Sequence, residues 1–232
     1  MNQDSDHEFR RAESLDEELL EAESVDVETY LDDSDRIGRI DEELRSGFAA
    51  LAHIGKAVSI FGSARTRPGD PEYQRARGAA RMLGEAGFAI ITGGGPGIME
   101  AANRGAVDAG ARSVGLGIDL PHEPGLNEWV NLPLQFHYFF TRKVMFVRYA
   151  CAFVVFPGGF GTFDELFEAA TLRQTGKVRW FPIVLFGSDY WDGLMRWLRD
   201  PVQAEGKISE LDWQMIEVTD DPQRVVEMIG ER

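Results

Sequence analysis

The chain has 232 residues, of which 44% are hydrophobic, so it is ordinary in composition and long enough for one substantial α/β domain. Its net charge of −15 comes without a basic, aromatic-studded stripe, and no apolar stretch reaches membrane-spanning length, so we expect neither nucleic-acid nor membrane binding. The acidic start lacks a signal peptide and the single cysteine, Cys151, excludes a disulfide within the chain, so we expect a cytoplasmic protein in which Cys151 is a buried thiol.

The negative charge is concentrated near the N-terminus. Residues 1–45 contain 17 Asp and Glu against 5 Lys and Arg, which leaves 22 acidic and 19 basic residues for the rest of the chain. Like charges in a segment with few aromatic residues favour a solvated tail over a packed element. We therefore predict an acidic, disordered extension over residues 1–40 and a single domain over residues 41–232.

Apolar residues within the acidic part give an alternative for one stretch. Leu15, Leu19 and Leu20 are spaced as in a short helix that docks on a partner. Beyond Asp41 the apolar residues recur at helical spacing: Leu44, Phe48 and Leu51. This second pattern predicts a helix that lies against the domain.

From about residue 55, short β-branched or aromatic runs alternate with longer helical patterns. The runs predict strands, which are residues 57–61, 88–92, 113–118, 129–136, 153–156, 182–186 and 217–219. The helical patterns cover residues 71–85, 98–109, 139–150, 162–174, 190–198 and 222–229. Pro133 makes 129–136 a poor central strand. This alternation is typical of an α/β fold, here a Rossmann-like doubly wound parallel sheet with helices on both faces.

Two glycine-rich loops follow two of these strands. They are residues 93–97 (GGGPG) and 157–161 (PGGFG), and Gly62-Ser63 forms a third turn. Ligands of doubly wound sheets bind outside the carboxyl ends of strands where the chain order reverses, so we expect these loops to face one crevice. Glycines let the backbone approach a ligand, and a helix N-terminus attracts anions, so the loops predict a shared phosphate site. The dinucleotide fingerprint and the P-loop lysine are missing, which argues against an NAD-dependent oxidoreductase.

The second loop runs directly into a pair of functional candidates. Glu165 lies one turn inside the following helix, where it would be held close to a bound anion. Taken alone, Thr162-x-x-Glu165 favours a capping box, in which the glutamate folds back on the helix start. Thr162 then either caps the helix or donates to phosphate. Glu168 lies one turn further on, as a second carboxylate of the site or as a solvated residue.

Two cations interrupt the predicted apolar helix 139–150. Arg142 and Lys143 follow two phenylalanines and precede Val144-Met145-Phe146. Unpaired charges are expensive to bury, so these side chains either reach solvent at the helix end or face an anionic partner. In the second case Arg142 grips phosphate or pairs with Glu165.

The remaining polar candidates are Glu100 and the histidines. Glu100 lies in the first turn of the helix after the first glycine loop, where the helix dipole stabilises a carboxylate and ribose hydroxyls are within reach. His53, His122 and His137 show no metal-ligand spacing, so we predict no metal site.

These motifs resemble those of one known family. Residues 93–103 (GGGPGIMEAAN) and 157–165 (PGGFGTFDE), with Arg142-Lys143 between them, closely resemble the LONELY GUY (LOG) family. Its members are cytokinin riboside 5'-monophosphate phosphoribohydrolases that have long carried the label lysine decarboxylase. The resemblance extends over about residues 56 to 186, and the acidic start and the C-terminal part suggest a longer bacterial type.

The resemblance implies roles for individual residues. Arg142 and Glu165 would be the catalytic pair, and a dimer or larger assembly would be the working unit, with no cofactor. The substrate-binding residues would be Ser63, Gly94, Gly95, Met99, Glu100, Lys143, Gly158, Gly159, Phe160, Gly161, Thr162 and Glu168. Within that set Gly158, Gly159, Gly161 and Thr162 would hold the 5'-phosphate, Glu100 the sugar, and Met99 and Phe160 the base.

We therefore expect a hydrolase that cleaves the N-glycosidic bond of a purine nucleoside 5'-monophosphate, AMP or N6-isopentenyl-AMP, to the free base and ribose 5-phosphate. A lysine decarboxylase would need a Schiff-base lysine, and Lys56, Lys143, Lys177 and Lys207 have no recognisable setting for one. The alternative is a nucleotide sensor or carrier that keeps the phosphate site without turnover.

Overall fold

The computed structural model describes residues 10–11, 14–20, 27–28, 33–120, 125–178 and 181–230. Its strands are β1 (Arg10–Arg11), β2 (Val27–Glu28), β3 (Ala57–Phe61), β4 (Ala89–Thr92), β5 (Ser113–Ile118), β6 (Leu132–Phe136), β7 (Ala152–Val155), β8 (Ile183–Phe186) and β9 (Ile216–Thr219). Its α-helices are α1 (Leu15–Leu20), α2 (Asp33–Leu51), α3 (Pro71–Glu85), α4 (Ile98–Asp108), α5 (Phe139–Tyr149), α6 (Phe160–Gln174), α7 (Ser188–Trp197), α8 (Glu210–Trp213) and α9 (Pro222–Gly230). A π-helical segment, Leu198–Gln203, continues α7. No helix within these ranges is both long and apolar enough to cross a bilayer.

Within the described ranges, seven strands form one parallel sheet in the order β6-β5-β4-β3-β7-β8-β9. The chain builds outward from β3 in one direction and, after β6, returns to build outward from β7 in the other. Helices α3, α4 and α9 pack on one face, and α2, α5, α6 and α7 pack on the other. This confirms the predicted α/β, Rossmann-like doubly wound sheet with helices on both faces. The short pair β1–β2 is separate from it.

Both faces of the central strands are buried, as a parallel sheet covered on both sides requires. Along β3, Ala57 and Phe61 belong to one apolar core, whereas Val58 and Ile60 belong to the other. The alternation follows from the two-residue period of a strand. It explains why the strands read as continuous apolar runs in the sequence.

The sheet edges are β6 and β9. The extended segment predicted at 129–136 pairs from Leu132 onward, on one side only, with β5. Pro133 is tolerated there because an edge strand has a side on which no ladder bond is needed. The short strand predicted at 217–219 is β9, at the opposite edge.

The described part of residues 1–40 differs from the prediction of a disordered extension, since it contains β1, α1, β2 and the start of α2. Leu15–Leu20 forms α1, at the leucines that favoured a short helix, and α2 begins at Asp33 rather than near Asp41. The Asp16 carboxylate accepts a hydrogen bond from the Phe139 amide (3.0 Å), so α1 docks on this same chain. Most of the other residues before 33 lie outside the described residues, as does His122.

The prediction that Cys151 is buried is wrong. Cys151 is exposed at the turn between α5 and β7, one residue before the strand enters the core. Partial desolvation raises the pKa of its thiol. The thiol is therefore less ionised at neutral pH than an ordinary cysteine and a weaker nucleophile.

Glycine sets how closely α3 and α4 pack. A Cβ built on Gly105 of α4 would overlap the Arg77 carbonyl oxygen of α3 and lie 2.9 Å from the Arg81 amide nitrogen. Gly78, within α3, has open space around the same position. The two glycines therefore have different functions, although both lie inside helices.

We expect Gly105→Ala to lower the free energy of unfolding by about 2 kcal/mol or more, because backbone atoms of α3 must move away. Gly78→Ala is the matched control and should raise the same free energy by about 0.5–1 kcal/mol through helix propensity alone. Urea titrations of both variants measure the difference. Equal stability of the two variants would contradict the close contact.

Candidate active site

Three loops meet at the carboxyl edge of the sheet because β4, β3 and β7 are neighbours. The residue that joins them is Ser63, in the turn after β3. Its amide donates to the Pro157 carbonyl (2.9 Å), and its carbonyl accepts from the Ile98 amide (3.0 Å). Both glycine loops are thereby hydrogen-bonded to one residue, Ser63, at the point where the strand order reverses.

The loop after β4 depends on glycine at two positions with positive φ. Gly94 has φ +74°, and a Cβ there would overlap the Leu126 side chain. Gly97 has φ +71°, and a Cβ there would overlap the Ser63 carbonyl oxygen. Met99 lies over the loop, since its sulfur would be 2.9 Å from a Cβ at Gly93. Of the residues predicted to bind substrate, Gly94 and Met99 therefore share one loop surface.

A buried polar network fixes this loop from behind. The Asn127 amide group donates to the carbonyls of Gly94 (2.9 Å) and Gly95 (3.0 Å). Thr92 donates to the Asn103 side-chain oxygen (2.7 Å) and accepts from the Gly94 amide (2.9 Å). Buried polar groups that are all paired hold one arrangement. The sequence analysis missed this network, because Asn127 lies in an irregular segment far along the chain.

The second glycine loop becomes helical earlier than predicted. Helix α6 begins at Phe160 with Gly159 as its N-cap and no side-chain cap. Thr162 is therefore inside the helix, and its side chain packs so closely on Gly158 that a Cβ there would overlap its hydroxyl. The capping-box interpretation of Thr162 and Glu165 is wrong, because the cap lies three residues before Thr162.

The start of α6 offers free amides to an anion. Within the described part of the chain, the amides of Gly159, Phe160 and Gly161 donate no backbone hydrogen bond. The Tyr190 hydroxyl donates to the Gly158 carbonyl (2.6 Å), which fixes the orientation of the peptide that carries the Gly159 amide. These are the properties of a phosphate-binding helix N-terminus. Nothing in the sequence around Tyr190 signals this contact.

Lys143 is the centre of an ionic cluster between α5 and α6. Its ammonium lies 2.7 Å from Glu168, 2.9 Å from Asp164 and 3.9 Å from Glu165. Burial alone would lower the pKa of Lys143, but hydrogen bonds to Glu168 and Asp164 outweigh it and raise that pKa. Lys143, Glu165 and Glu168 are thus brought together, and Asp164 joins them although it was not predicted to.

Glu165 is the most perturbed of these acids. It is 4% exposed, and its Oε2 is buried with no hydrogen-bond partner among the described residues. Burial raises its pKa to about 7, although Lys143 and Arg142 act in the opposite direction. An acid with a pKa near neutrality can exchange protons in a reaction at neutral pH.

Arg142 lies at the crevice rather than at a solvent-exposed helix end. Its guanidinium carbon is 5.1 Å from the ring centre of Phe139 and 5.5 Å from that of Phe146. One terminal nitrogen would be 3.9 Å from a Cβ at Gly93, so the side chain reaches the first glycine loop. The positive charge of Arg142 lowers the pKa of Glu165. The Lys143 ammonium, which lowers it as well, lies 3.9 Å from the Glu165 carboxylate.

Two further predicted residues are Glu100 and Phe160. The Glu100 carboxylate accepts a hydrogen bond from the buried Tyr73 hydroxyl (2.7 Å), so α3 holds it in place. Phe160 is 95% exposed at the tip of α6.

A cleft of about 620 Å³ runs along α6 and is lined by Lys143, Phe160, Phe163, Asp164, Phe167, Glu168, Thr171 and Leu172. Within the described ranges, no three His, Cys, Asp or Glu side chains are grouped to hold a metal ion.

Comparison with known proteins finds one matching family model and several curated relatives. A family model described as "Possible lysine decarboxylase" matches residues 99–229, more than half of the chain. The pyrimidine/purine nucleotide 5'-monophosphate nucleosidase of Escherichia coli K12 is 31% identical over 157 residues, which are 60% of this chain and 33% of that protein. The cytokinin riboside 5'-monophosphate phosphoribohydrolase of Rhodococcoides fascians is 27% identical over 161 residues, 66% of this chain and 79% of that protein.

Solved structures agree on the fold. The molybdenum cofactor binding protein of Rippkaea orientalis superposes with a TM-score of 0.56 at 17% identity, covering 76% of this chain and 96% of that one. At this identity the similarity concerns the fold alone. The chain spans one third of the length of the Escherichia coli nucleosidase that it matches.

The buried acid has a cost for stability that depends on pH. The folded-state pKa of Glu165 is about 7 against an ordinary 4.5, so its contribution to stability is complete below pH 4.5 and is lost as the pH rises through 7. Glu165→Gln should therefore be more stable than the parent chain at pH 8, by about 2–3 kcal/mol relative to the difference at pH 4.5.

Urea unfolding of both proteins at pH 4.5 and pH 8 measures this difference. Asp164→Asn, which changes an exposed acid of the same helix, is the control and should show little change between the two pH values. If Glu165→Gln shifted stability equally at both pH values, the acid would titrate normally and would not be buried as described.

Proposed function

This chain belongs to the "Possible lysine decarboxylase" (LOG) family, and we propose that it is a nucleotide phosphoribohydrolase. The reaction is hydrolysis of the N-glycosidic bond of a nucleoside 5'-monophosphate to the free base and ribose 5-phosphate. The observation that carries the proposal is the buried Glu165, with one unpartnered oxygen and a pKa of about 7, one turn inside a helix whose first amides are free. The names of the relatives from Escherichia coli and Rhodococcoides fascians support the same reaction.

The substrate phosphate binds at the start of α6. The amides of Gly159, Phe160 and Gly161 supply donors, and the positive end of the helix dipole supplies attraction. Gly158 keeps the backbone open, and the Thr162 hydroxyl lies against it. Binding the non-reacting phosphate at this helix start fixes the sugar over the acid, and this positioning lowers the barrier to reaction.

Glu165 acts on the anomeric carbon. Bond cleavage passes through an oxocarbenium-like sugar, as in O-glycoside hydrolysis, and a nearby carboxylate stabilises that cation. The ionised Glu165 accepts a proton from the attacking water, whose oxygen bonds to the anomeric carbon. The base departs with the electron pair of the broken bond and takes up a proton from Glu165 or from solvent, so the free base is neutral and Glu165 is ionised again. A pKa of about 7 makes both proton uptake and release favourable at neutral pH.

The two cations of α5 have separate functions. Lys143 stays protonated among three carboxylates and stabilises the ionised form of Glu165, whereas Arg142 reaches the first glycine loop to contact the nucleotide.

A Schiff-base lysine must lose its proton to react, so the raised pKa of Lys143 does not fit a pyridoxal-dependent decarboxylase. The other lysines, Lys56, Lys177 and Lys207, are exposed.

For the sugar and base we keep the predicted residues. Glu100, oriented by Tyr73, accepts from ribose hydroxyls, and Met99 and Phe160 flank the base. Apolar walls at Phe160, Phe163 and Phe167 support a purine with an apolar N6 substituent, as in N6-isopentenyl-AMP. Gly94, Gly95 and Ser63 form the backbone surface of the site, and Glu168 anchors Lys143.

We further propose a cytoplasmic homodimer or larger homo-oligomer. Helices α5 and α6 expose five large apolar side chains next to the site, which are Phe139, Phe140, Val144, Phe160 and Phe167. A patch of this kind favours burial against a second copy. The single cysteine is consistent with a reducing compartment.

The test of the reaction is an HPLC assay with AMP, N6-isopentenyl-AMP and CMP as separate substrates. We expect free base and ribose 5-phosphate from the two purine nucleotides, faster from N6-isopentenyl-AMP, and slower release from CMP. A similar rate for CMP would contradict only the proposed preference for purine nucleotides and would leave the enzymatic proposal standing. No base from any nucleotide would contradict the enzymatic proposal.

Glu165→Gln separates an enzyme from a sensor or carrier. We expect the rate of base release to fall about 10²- to 10⁴-fold while nucleotide binding is retained, because the base of the reaction is removed and the phosphate site is kept. The matched control is Asp164→Asn, which also contacts Lys143 but is exposed, and it should stay within about tenfold of the parent rate. If both proteins bind nucleotide but release base no faster than the uncatalysed reaction, binding without catalysis is assigned. Equal rates well above that level would remove Glu165 from the mechanism.

A further inference from the structure

Helix α5 carries both cations of the site but has no cap of its own. Its N-cap, Tyr138, makes no side-chain capping bond, and its first turn holds no acidic residue. Two carboxylates from the N-terminal helices are bound there instead. Asp16 of α1 accepts from the Phe139 amide, and Glu43 of α2 accepts from the His137 amide (2.9 Å). Helix starts need such partners for their free amides.

Glu43 makes the more extensive contact. Its Oε1 also lies 2.8 Å from His137 Nδ1, and its Oε2 accepts from the Thr141 hydroxyl (2.6 Å). The side chain is only 10% exposed. One carboxylate therefore binds the segment before α5 and the first turn of α5 simultaneously. Thr141 is the residue immediately before Arg142.

Helix α2 runs alongside α5 beyond this point. A Cβ at Gly47 would lie 2.7 Å from the terminal methyl of Met145, so the two helices touch there through a glycine. One turn further on, the Tyr149 hydroxyl donates to the Phe48 carbonyl (3.2 Å). Thr141, Met145 and Tyr149 are spaced four residues apart, so they form one face of α5. Glu43 and the residues after it thus determine how α5 is rotated about its axis.

Rotation of α5 changes the site directly. Successive residues of a helix differ by about 100°, so fixing Thr141 against α2 directs Arg142 and Lys143 toward the crevice. Lys143 contacts three carboxylates of α6 through one ammonium group, and Arg142 reaches Gly93. Displacements of about 1 Å at such groups cost on the order of a hundredfold in rate.

We propose that Glu43 is a positioning residue, which orients Arg142 and Lys143 by binding the start of α5. It lies before residue 99, where the family model begins to match, in the acidic part of the chain. The expected effect of Glu43 on the reaction rate rests on the proposed phosphoribohydrolase activity. Its expected effect on the positions of Arg142 and Lys143 does not.

The variants are Glu43→Ala, Glu43→Gln and the control Glu42→Ala. Glu42 is an exposed neighbour on the same helix, so its loss changes the charge equally without touching α5. Gln retains an acceptor for the His137 amide and an amide group beside the Thr141 hydroxyl. Thermal melting of each full-length variant first establishes that it is folded.

We expect Glu43→Ala to lower kcat roughly ten- to a hundredfold with a small change in KM, Glu43→Gln to recover much of the loss, and Glu42→Ala to match the parent. A second measurement needs no turnover: a carbon-13 NMR titration of the Glu165 carboxyl. Arg142 and Lys143 lower the pKa of Glu165, whereas Asp164 and Glu168 raise it. Glu43→Ala should therefore raise that pKa, because the two cations move away.

The two measurements distinguish the proposals. If the parent releases no base but the Glu165 titration shifts in Glu43→Ala, the proposed activity fails and the positioning role stands. If Glu43→Ala matches Glu42→Ala in both kcat and titration, Glu43 positions nothing and the inference is overturned. If Glu43→Ala is unfolded, Glu43→Leu decides, because it keeps most of the side-chain volume but no acceptor for the His137 amide or the Thr141 hydroxyl. A kcat and a titration identical to the parent's would overturn the inference, and a lowered kcat with a raised pKa of Glu165 would support it.

Discussion

The buried carboxyl group of Glu165, held beside cations that belong to a different helix, is the constraint on which the rest of the structure depends. Burial favours the protonated acid, and Lys143 and Arg142 favour the ionised one, so the balance between them sets a pKa of about 7. Burial acting alone would hold the pKa of Glu165 higher, and the cations acting alone would hold it lower. The relative position of α5 and α6 therefore determines the pKa of Glu165 as well as the packing of the two helices.

The order of elements in the chain makes this juxtaposition simple to achieve. Helix α5 leads into β7 and α6 follows it, and both pack on the same face of the sheet. Two helices that flank one parallel strand on one face lie next to each other, so the acid and its cations come from a single α–β–α unit. The glycine loop between β7 and α6 ends at the point where the strand order reverses, next to the loops after β3 and β4. The backbone and the side chains of the candidate site thus converge without any long connection.

The fold could be predicted from periodicity, and the glycine loops that meet at the candidate site from glycine spacing, because both are local signals. Strand 57–61 and helix 71–85 are found as predicted. The start of α6 was misplaced by two residues, since a helix that opens on Phe160 and Gly161 has weak local propensity and no capping side chain. Contacts such as that of Glu43 with His137, 94 residues apart, leave no local pattern. The acidic composition near the N-terminus also concealed the first part of α2, whereas the leucine spacing did indicate the short helix α1.

The hydrogen bonds of Ser63 have a consequence for how this family can vary. They join the loops after β4 and β7 through the peptide nitrogen and oxygen of one residue, and the side chain takes no part in either bond. Replacing the side chain would leave both bonds in place and would remove the bond that its hydroxyl accepts from the Arg65 amide (3.1 Å), so the link between the two loops is made by the backbone. A different side chain at position 63 would therefore present a different group to a ligand while the two loops stay joined through the same backbone atoms.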